Sequence, residues 1–167
     1  PFWRHNRQHR QLLLSSFHLS KTTLPAYFDA LAEFKPDVMD GYPSTLYVLA
    51  KYLQGRGQTF PVKAAITSSE TLHDFQRALI EERFCCRVFD YYALAERAVF
   101  SGECADHQAH HIAMEYGLAE VTSADGQPVP RGTIGRLVGT TLHNLAMPLI
   151  RYATNDLTAL SEGTCTC

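Results

Sequence analysis

Hydrophobic residues in the first hundred positions recur at the three- to four-residue spacing of amphipathic helices. Three such helices are predicted, at residues 24–34, at 44–55, and from 71 through at least 80. Their ends carry stop signals, because Pro36 follows the first helix and Gly55 closes the second. Ser44 is predicted to cap the second helix, and Thr71 with Asp74 to open the third as a capping box. The predicted buried stripe of the third helix comprises Leu72, Phe75, Leu79 and Ile80.

Short runs of β-branched and aromatic residues separate these helices and predict strands at 37–40, 62–67 and 88–92. Repeated strand–helix–strand order predicts a parallel sheet with right-handed crossovers. Turn or polar residues stand at each strand end, as Gly41-Tyr42-Pro43, Ser68-Ser69-Glu70 and Tyr91-Tyr92. Because ligands of open α/β sheets bind outside the carboxyl ends of the strands, we expect a site along this edge.

The stretch from Arg87 to Arg97 is the most informative of these strand ends. It begins as a strand and continues as Ala93-Leu94-Ala95-Glu96-Arg97, a composition that favours a helical turn. Asp90 and Glu96 therefore flank a pair of aromatic residues at the end of a strand. Such a pair of carboxylates with stacked rings suits a flat, polar, metal-linked ligand such as a nucleotide.

The hydrophobic pattern changes near residue 100, and helical periodicity disappears from about Gly102 onward. Strands are predicted at 118–122, 134–140 and 149–152, with turns at Asp125-Gly126 and at 128–132. This pattern indicates an antiparallel or barrel-like sheet attached to the α/β layer. We therefore predict an α/β protein with two subdomains, 1–100 and 101–167, in one compact piece.

Composition narrows the class of protein. A chain of 167 residues with 46% hydrophobic content is long enough for one domain with a real core. The net charge of −2 and the lack of a basic run argue against nucleic-acid binding. The sequence has no apolar run long enough for a membrane span and no signal-peptide pattern. Because the chain begins at Pro1 without a methionine and stops at Cys167, we expect it to be part of a longer protein.

The cysteine pattern indicates reduced thiols or a metal site. Five cysteines are an odd number, and a Cys-x-Cys ends the chain, which suits a cytoplasmic protein better than a secreted disulfide framework. Cysteine and histidine side chains also cluster in the second half of the sequence, at Cys104, His107, His110, His111, Cys165 and Cys167. Four of these would complete a tetrahedral zinc shell, with two thiolates from the Cys-x-Cys and the rest from Cys104 and one nearby histidine.

Several motifs occur together in one order along the chain: Gly41-Tyr42-Pro43-Ser44, Ser68-Ser69-Glu70, Tyr92 to Arg97, Gly135-Arg136-Leu137-Val138, and Met147 to Asp156. This series resembles the adenylate-forming enzymes, in particular the phenylacetate–coenzyme A ligase branch and its capsular-polysaccharide-biosynthesis relatives. The resemblance covers the chain from about Ser15 to Cys167. It implies that the chain is part of the large domain of an acyl-adenylating enzyme.

The resemblance assigns roles to individual residues. It implies that Tyr92, beside Tyr91, lies against adenine, that Asp90 lies near the adenine amino edge, and that Glu96 binds the Mg²⁺ of ATP. It places Asp156 on the ribose hydroxyls and makes the turn Ser68, Ser69 and Glu70 a wall between nucleotide and acyl group. In the implied reaction a small carboxylic acid attacks the α-phosphate of ATP and forms an acyl-adenylate. A thiol acceptor, coenzyme A in the ligase branch, then takes the acyl group.

The resemblance also implies a set of metal ligands, in which the identity of the histidine ligand is undecided. It implies a structural zinc site formed by Cys104, His111, Cys165 and Cys167, with His107 as the alternative to His111.

The sequence departs from the family pattern at Ala93, Ala95, Ala153 and Asn155. The phosphate loop of the family should precede Pro1 and the lid lysine should follow Cys167, so we expect the chain alone to be inactive. The three alanines favour an alternative function, a zinc-stabilised binding module that kept the fold and lost the chemistry.

Overall fold

A computed structural model describes residues 2–167 and divides the chain into two units, one ending at Val88 and the other beginning at Phe89. The division lies about a dozen residues before the change in hydrophobic pattern near residue 100. No helix among residues 2–167 is long and apolar enough to cross a membrane.

The first unit contains a hairpin and an alternation of helices and strands. Its elements are β1 (Trp3–Asn6), β2 (Gln11–Leu14), a 3₁₀ turn (Ser16–His18), α1 (Leu24–Phe34), β3 (Val38–Gly41), α2 (Pro43–Gly55), β4 (Ala64–Ser68) and α3 (Asp74–Phe84). The three predicted helices and the parallel pairing of the strands between them are confirmed, with Val38 opposite Ala64 and Gly41 opposite Thr67. The antiparallel hairpin of β1 and β2 was not predicted, because its strands show no regular alternation.

Two of the predicted helix starts are wrong in detail. Helix α2 begins at Pro43, and its N-cap Tyr42 makes no side-chain cap bond, so Ser44 lies inside the helix. Proline is favoured at the first helical position, because its fixed φ suits a helix and its missing N–H would have no partner there. Helix α3 is opened by a capping box between His73 and Gln76, with Thr71 outside it.

The core of the first unit lies between the helices and the parallel strands. Leu46 and Leu49 of α2, Ile80 and Phe84 of α3, and Val88 are among its buried side chains. The stripe predicted for α3 is correct at Leu79 and Ile80, but Phe75 is 59% exposed. Its ring instead packs edge-on against the ring of Tyr47, with centroids 5.3 Å apart.

The second unit is built from antiparallel strands. Strand β5 (Arg87–Ala93) leads into it, followed by β6 (Phe100–Glu103), β7 (His110–Ile112), β8 (Gly117–Thr122), β9 (Gly135–Thr141) and β10 (Tyr152–Thr158). Strands β5, β6 and β7 pair in that order, and β9 pairs with both β8 and β10. The α/β fold class is therefore confirmed, with a helical layer on parallel strands followed by antiparallel sheet.

Strand assignments in the second unit were partly wrong. The strand predicted at 149–152 is a loop up to its last residue, and β10 starts at Tyr152. Arg151, immediately before it, has a φ of 50°, a left-handed conformation that interrupts an extended chain. Strands β6 and β7 were not predicted, because Phe100-Ser101-Gly102-Glu103 and His110-His111-Ile112 are short and mostly polar.

Candidate functional site

The segment after β5 carries Glu96 in a tight turn. The Arg97 N–H donates to the Leu94 carbonyl at 3.0 Å, and Arg97 has a φ of 58°. The left-handed residue ends the turn after one hydrogen bond, so the helical turn predicted at 93–97 is not formed. The side-chain amide of Asn144 donates to the Glu96 carbonyl at 3.1 Å and holds this turn against the loop between β9 and β10.

Close packing fixes the base of the turn. Ala98 and Val99 are fully or almost fully buried and pack with Leu137 of β9. Two glycines make this approach possible: a Cβ at Gly117 would lie 2.1 Å from the Ala98 carbonyl oxygen, and one at Gly139 would lie 2.8 Å from the Ala98 Cβ. The backbone that presents Glu96 therefore rests directly on the β8–β9 sheet.

The carboxylate of Glu96 is bound by a tyrosine from the other end of the unit. The hydroxyl of Tyr152 donates to Glu96 Oε1 at 3.0 Å across 56 positions of sequence. Hydrogen bonding to this carboxylate, together with its negative charge, raises the pKa of Tyr152. Tyr152 thus stays a hydrogen-bond donor at neutral pH.

A second tyrosine binds the carboxylate of Asp156. The hydroxyl of Tyr92 donates to Asp156 Oδ2 at 2.5 Å across 64 positions of sequence. Partial burial and then the hydrogen bond to Asp156 raise the pKa of Tyr92 well above its ordinary range. The hydroxyl of Tyr92 is therefore a protonated donor, and its side chain packs against the buried cluster of Ala98, Val99 and Leu137.

A bulge in β10 presents Asp156. The pairing of β10 with β9 shifts register between Ala153 and Leu157. Within the bulge, buried Thr154 donates from Oγ1 to the Leu137 carbonyl at 2.9 Å and accepts from the Asp156 N–H at 3.1 Å. The backbone of Asp156 is thereby tied to the sheet, while its side chain remains exposed.

The predicted turn at Ser68, Ser69 and Glu70 follows β4 in the first unit. Ser69 has a φ of 67°, and Glu70 accepts a hydrogen bond at Oε2 from the Ser44 N–H at 3.1 Å. A carboxylate at the first turn of α2 also opposes the positive end of the helix dipole. The segments that follow β3 and β4 thus lie together at the carboxyl edge of the parallel strands. The sequence predicts this arrangement for these two strand ends and for a third at Tyr91-Tyr92.

Asp90 and Tyr91 have partners within the second unit. Asp90 Oδ2 lies 3.4 Å from His110 Nε2, and the Tyr91 ring packs on Phe100 with centroids 5.8 Å apart. Their roles at adenine stay predictions.

The four residues predicted as metal ligands converge. The ligand atoms of Cys104, His111, Cys165 and Cys167 all lie within 4.8 Å of one another. Cys104 Sγ is 3.5 Å from Cys165 Sγ, and Cys167 Sγ is 3.6 Å from His111 Nε2. Tetrahedral zinc with metal–sulfur bonds of about 2.3 Å holds neighbouring ligand atoms about 3.7 Å apart, so three thiols and one imidazole at these distances fit that ion.

The thiols of this group differ in acidity. The backbone N–H of Asp106 donates to Cys104 Sγ at 3.4 Å and lowers the pKa of that thiol to about 7. At Cys165 the Cys167 backbone lowers the pKa, but hydrogen bonds with the Cys104 and Cys167 side chains outweigh it and raise the pKa to about 12.

His107, the alternative ligand, lies elsewhere. Its Nδ1 is 3.0 Å from Glu103 Oε2, and its ring packs on Phe89 with centroids 4.9 Å apart. Of the two histidines that the sequence left open, only His111 belongs to the group of four.

Sequence reasoning missed the residues that hold these side chains. Tyr152, Asn144 and Thr154 bind the two carboxylate segments, and Asp106 accepts from Cys165 at 3.3 Å and from Thr166 at 2.9 Å. One signal was available, because a tyrosine precedes a carboxylate by four residues both at 92–96 and at 152–156.

Known proteins similar to this chain include ligases. Protein CapK of Staphylococcus aureus is 30% identical over 163 residues, which are 96% of this chain and 35% of CapK. Phenylacetate-coenzyme A ligase of Thermus thermophilus is 35% identical over 144 residues, which are 82% of this chain and 32% of that enzyme. The chain thus spans about a third of the length of these relatives. No family model matches it.

Solved structures with the same fold include two CoA ligases. An open conformation of 2-hydroxyisobutyryl-CoA ligase in complex with 2-HIB-AMP and CoA aligns with a TM-score of 0.73 at 23% identity, over 87% of this chain and 34% of that one. The anthranilate CoA ligase AuaEII in complex with anthranoyl-AMP aligns with a TM-score of 0.57 at 12% identity, over 81% of this chain and 26% of that one. At these identities the likeness establishes the fold.

Proposed function

The chain belongs with CapK and the phenylacetate–coenzyme A ligases in the adenylate-forming family, and from this we propose that the protein containing it is an ATP-dependent acyl- or aryl-adenylating ligase. One observation carries the proposal. Tyr92 and Glu96 lie near the start of the second unit and are hydrogen-bonded to Asp156 and Tyr152, respectively, near its end. A ring face and two carboxylates are thereby gathered in one place.

Asp156 is suited to binding a ribose. A carboxylate accepts charge-assisted hydrogen bonds from two vicinal hydroxyls, and the exposed Asp156 side chain on its bulge can present an oxygen to them. The ring of Tyr92, whose hydroxyl lies on the same carboxylate, supplies an aromatic face for the base. Asp156 and Tyr92 thus form a candidate nucleoside site.

Glu96 is the candidate Mg²⁺ ligand. Its carboxylate is a hard oxygen donor, and Mg²⁺ is usually bound through one or two protein carboxylates together with substrate phosphates. Bound there, Mg²⁺ would neutralise phosphate charge during transfer. The tight turn and the Asn144 contact hold the Glu96 backbone in place for this role.

The reaction we propose is attack of a small carboxylic acid on the α-phosphate of ATP, which gives an acyl-adenylate and pyrophosphate. A thiol acceptor, coenzyme A or a related thiol, then attacks the acyl carbon, loses its proton and forms a thioester, while the acyl–phosphate bond breaks and AMP leaves. The residues of this chain contribute by positioning the nucleotide and by electrostatic stabilisation, which are the main sources of catalysis in such substitutions at phosphorus.

We also propose that Cys104, His111, Cys165 and Cys167 hold a structural zinc ion. All four ligands come from the protein, which is typical of structural rather than catalytic sites. The ion would tie the chain beyond β10 to the segments around β6 and β7 and so add to the folding free energy of the second unit.

The test uses the complete protein and calorimetry with AMP. Asp156→Ala should weaken AMP binding by about 1.5–3 kcal/mol for each charge-assisted hydrogen bond lost, tenfold or more in Kd. Glu96→Ala should instead raise the Mg²⁺ concentration needed for pyrophosphate release and leave AMP binding nearly unchanged. Asp125→Ala, at an exposed turn of the same unit, is the matched control. Equal AMP affinity in the wild type and Asp156→Ala would reject the nucleotide assignment.

A second candidate function is a zinc-stabilised binding module without catalysis. Ala93, Ala95 and Ala153 favour it, because each stands where the family pattern carries glycine, a hydroxyl or arginine. Pyrophosphate release by the complete protein with any member of a broad acid panel supports the ligase. Zinc binding without pyrophosphate release across that panel supports the module.

A further inference from the structure

The two segments that form the candidate nucleotide site exchange partners. Tyr92 precedes Glu96 by four residues, and Tyr152 precedes Asp156 by four residues. Neither tyrosine binds the carboxylate of its own segment. Tyr92 donates to Asp156 at 2.5 Å and Tyr152 donates to Glu96 at 3.0 Å, so the two pairs are crossed.

Each bond engages one oxygen of its carboxylate. Tyr92 occupies Oδ2 of Asp156, and Tyr152 occupies Oε1 of Glu96. A carboxylate held through one oxygen loses rotational freedom about its last bond and presents the other oxygen in a fixed direction. The crossed bonds therefore define where each carboxylate can accept a ligand.

The backbone of both carboxylates has hydrogen-bond partners besides the tyrosines, and Thr154, which also hydrogen-bonds Tyr92, is tied to the sheet by its bond to the Leu137 carbonyl. Asn144 binds the Glu96 carbonyl, and Thr154 binds the Asp156 N–H. Removal of a tyrosine hydroxyl should thus leave the main chain in place and release only the carboxylate side chain. This separates a positioning effect from a general loss of structure.

We propose that the Tyr92 and Tyr152 hydroxyls are positioning groups, Tyr92 orienting Asp156 for a ribose diol and Tyr152 orienting Glu96 for a phosphate-bound cation. This inference rests on the proposed nucleotide function. It adds a second role to Tyr92, beyond its ring face, and a first role to Tyr152. Because the bonds are crossed, the orientation of each carboxylate depends on a tyrosine of the other segment. The diol site and the cation site therefore require both segments.

The role proposed for Tyr92, one half of the inference, is tested in the complete protein with Tyr92→Phe. This substitution keeps the ring and removes the hydroxyl. The probes are AMP and 2′,3′-dideoxyadenosine 5′-monophosphate, and the measurement is calorimetric Kd. We expect Tyr92→Phe to weaken AMP binding about three- to tenfold, the worth of one hydrogen bond, and to leave the dideoxy compound unchanged. In an Asp156→Ala background, Tyr92→Phe should have no further effect on AMP. Equal losses for both nucleotides, or no loss for either, would overturn this half.

The Tyr152 half is tested with Tyr152→Phe and the Mg²⁺ dependence of pyrophosphate release. The half-saturating Mg²⁺ concentration should rise about three- to tenfold, with AMP affinity measured without Mg²⁺ unchanged. Tyr116→Phe is the control for both halves, since the Tyr116 ring packs on Phe100 and its hydroxyl belongs to neither pair. An unchanged Mg²⁺ requirement in Tyr152→Phe, where Glu96→Gln raises it, would overturn this half.

The outcomes separate this inference from the proposed function. If Asp156→Ala and Glu96→Gln have no effect on nucleotide or Mg²⁺, the nucleotide function itself is wrong and the inference falls with it. If those substitutions act and the two Tyr→Phe variants do not, the function stands and the positioning roles are rejected. The unfolding midpoint of each variant, compared with that of Tyr116→Phe, identifies any variant that loses structure. If Tyr92→Phe is such a variant, Tyr92→Trp replaces it in the test, because it also keeps an aromatic ring and removes the hydroxyl.

Discussion

The sulfur atoms of Cys104 and Cys165 lie 3.5 Å apart, although 61 positions of sequence separate the two residues. Cys104 directly follows β6, and Cys165 lies beyond β10 in a segment without helix or strand. Such a segment orders itself only against something that offsets its conformational entropy. Because three thiols and an imidazole converge there, we expect a metal ion to supply this contribution.

We therefore expect one zinc ion per chain in purified protein. Cys165→Ser should reduce the zinc content sharply, because one of four ligands is lost, and elemental analysis measures it. Cys85→Ser is the control, since Cys85 is an exposed thiol outside the group. Protein without zinc would refute the site, and loss of zinc in His107→Ala but not in His111→Ala would change the ligand assignment.

Asp106 should tune zinc affinity without being a ligand. Its Oδ2 accepts from Cys165 Sγ at 3.3 Å and from Thr166 Oγ1 at 2.9 Å, and its N–H donates to Cys104. Partners of this kind orient ligands, and their removal typically costs about 10- to 100-fold in metal affinity. Asp106→Ala should show a loss of that size in a competition titration against a chromogenic chelator, while Asp125→Ala should not. Equal affinities in the two variants would show that the Asp106 carboxylate plays no such part.

Local patterns predicted the helices well. Helix α1 runs from Leu24 to Phe34 as predicted, because its periodicity and the following Pro36 are properties of neighbouring residues alone. The start of β10 was misplaced, because it depends on the left-handed Arg151 and on register with β9, neither of which is visible in the hydrophobic pattern. Strands β6 and β7 were not predicted, because pairing with neighbouring strands, rather than the intrinsic β-propensity of their residues, stabilises their extended conformation.

The candidate site, like the fold, was predictable in some parts and not in others. The sequence supplied the residue types and their order, which sufficed to name Glu96, Asp156 and the metal group as candidates. It could not supply partners such as Tyr152 or Asn144, because these meet the Glu96 turn only through the antiparallel pairing of the second unit. The order of motifs along a chain is enough to predict the roles of individual residues. Contacts between side chains that are far apart in sequence can be identified only from the folded structure.

Gly117 should be intolerant of substitution. A Cβ there would lie 2.1 Å from the Ala98 carbonyl oxygen and 3.0 Å from the Thr140 carbonyl oxygen, both of them backbone atoms that cannot rotate away. Gly117→Ala should lower the free energy of unfolding by about 1–3 kcal/mol or more, the usual cost of overpacking, as measured by urea denaturation. Gly163→Ala is the matched control, since its nearest contact would be a serine hydroxyl at 3.7 Å. Equal stability of the two variants would show that β8 does not approach Ala98 this closely.

The crossed tyrosines also predict how stability depends on alkaline pH. The hydrogen bond to Glu96 raises the pKa of Tyr152, and burial together with Asp156 raises that of Tyr92. A phenol whose pKa is raised by folding contributes stability that is complete below its unfolded pKa of about 10 and is lost as pH rises through the folded pKa. Above about pH 10 the unfolded chain releases these protons first, so the free energy of unfolding should fall with increasing pH.

Urea denaturation between pH 8 and pH 11, with phenolate absorbance followed in parallel, measures this effect. Tyr152→Phe and Tyr92→Phe should each show a shallower decline than the wild type above about pH 10, because each lacks one of the phenolic protons that the native state retains, while buried Tyr27, whose pKa is also raised, contributes equally to all the proteins. Tyr116→Phe should keep the wild-type decline, since both crossed pairs remain. Parallel slopes for all four proteins would mean that the bonds to Glu96 and Asp156 do not persist in solution, and the positioning roles of both tyrosines would lose their structural basis.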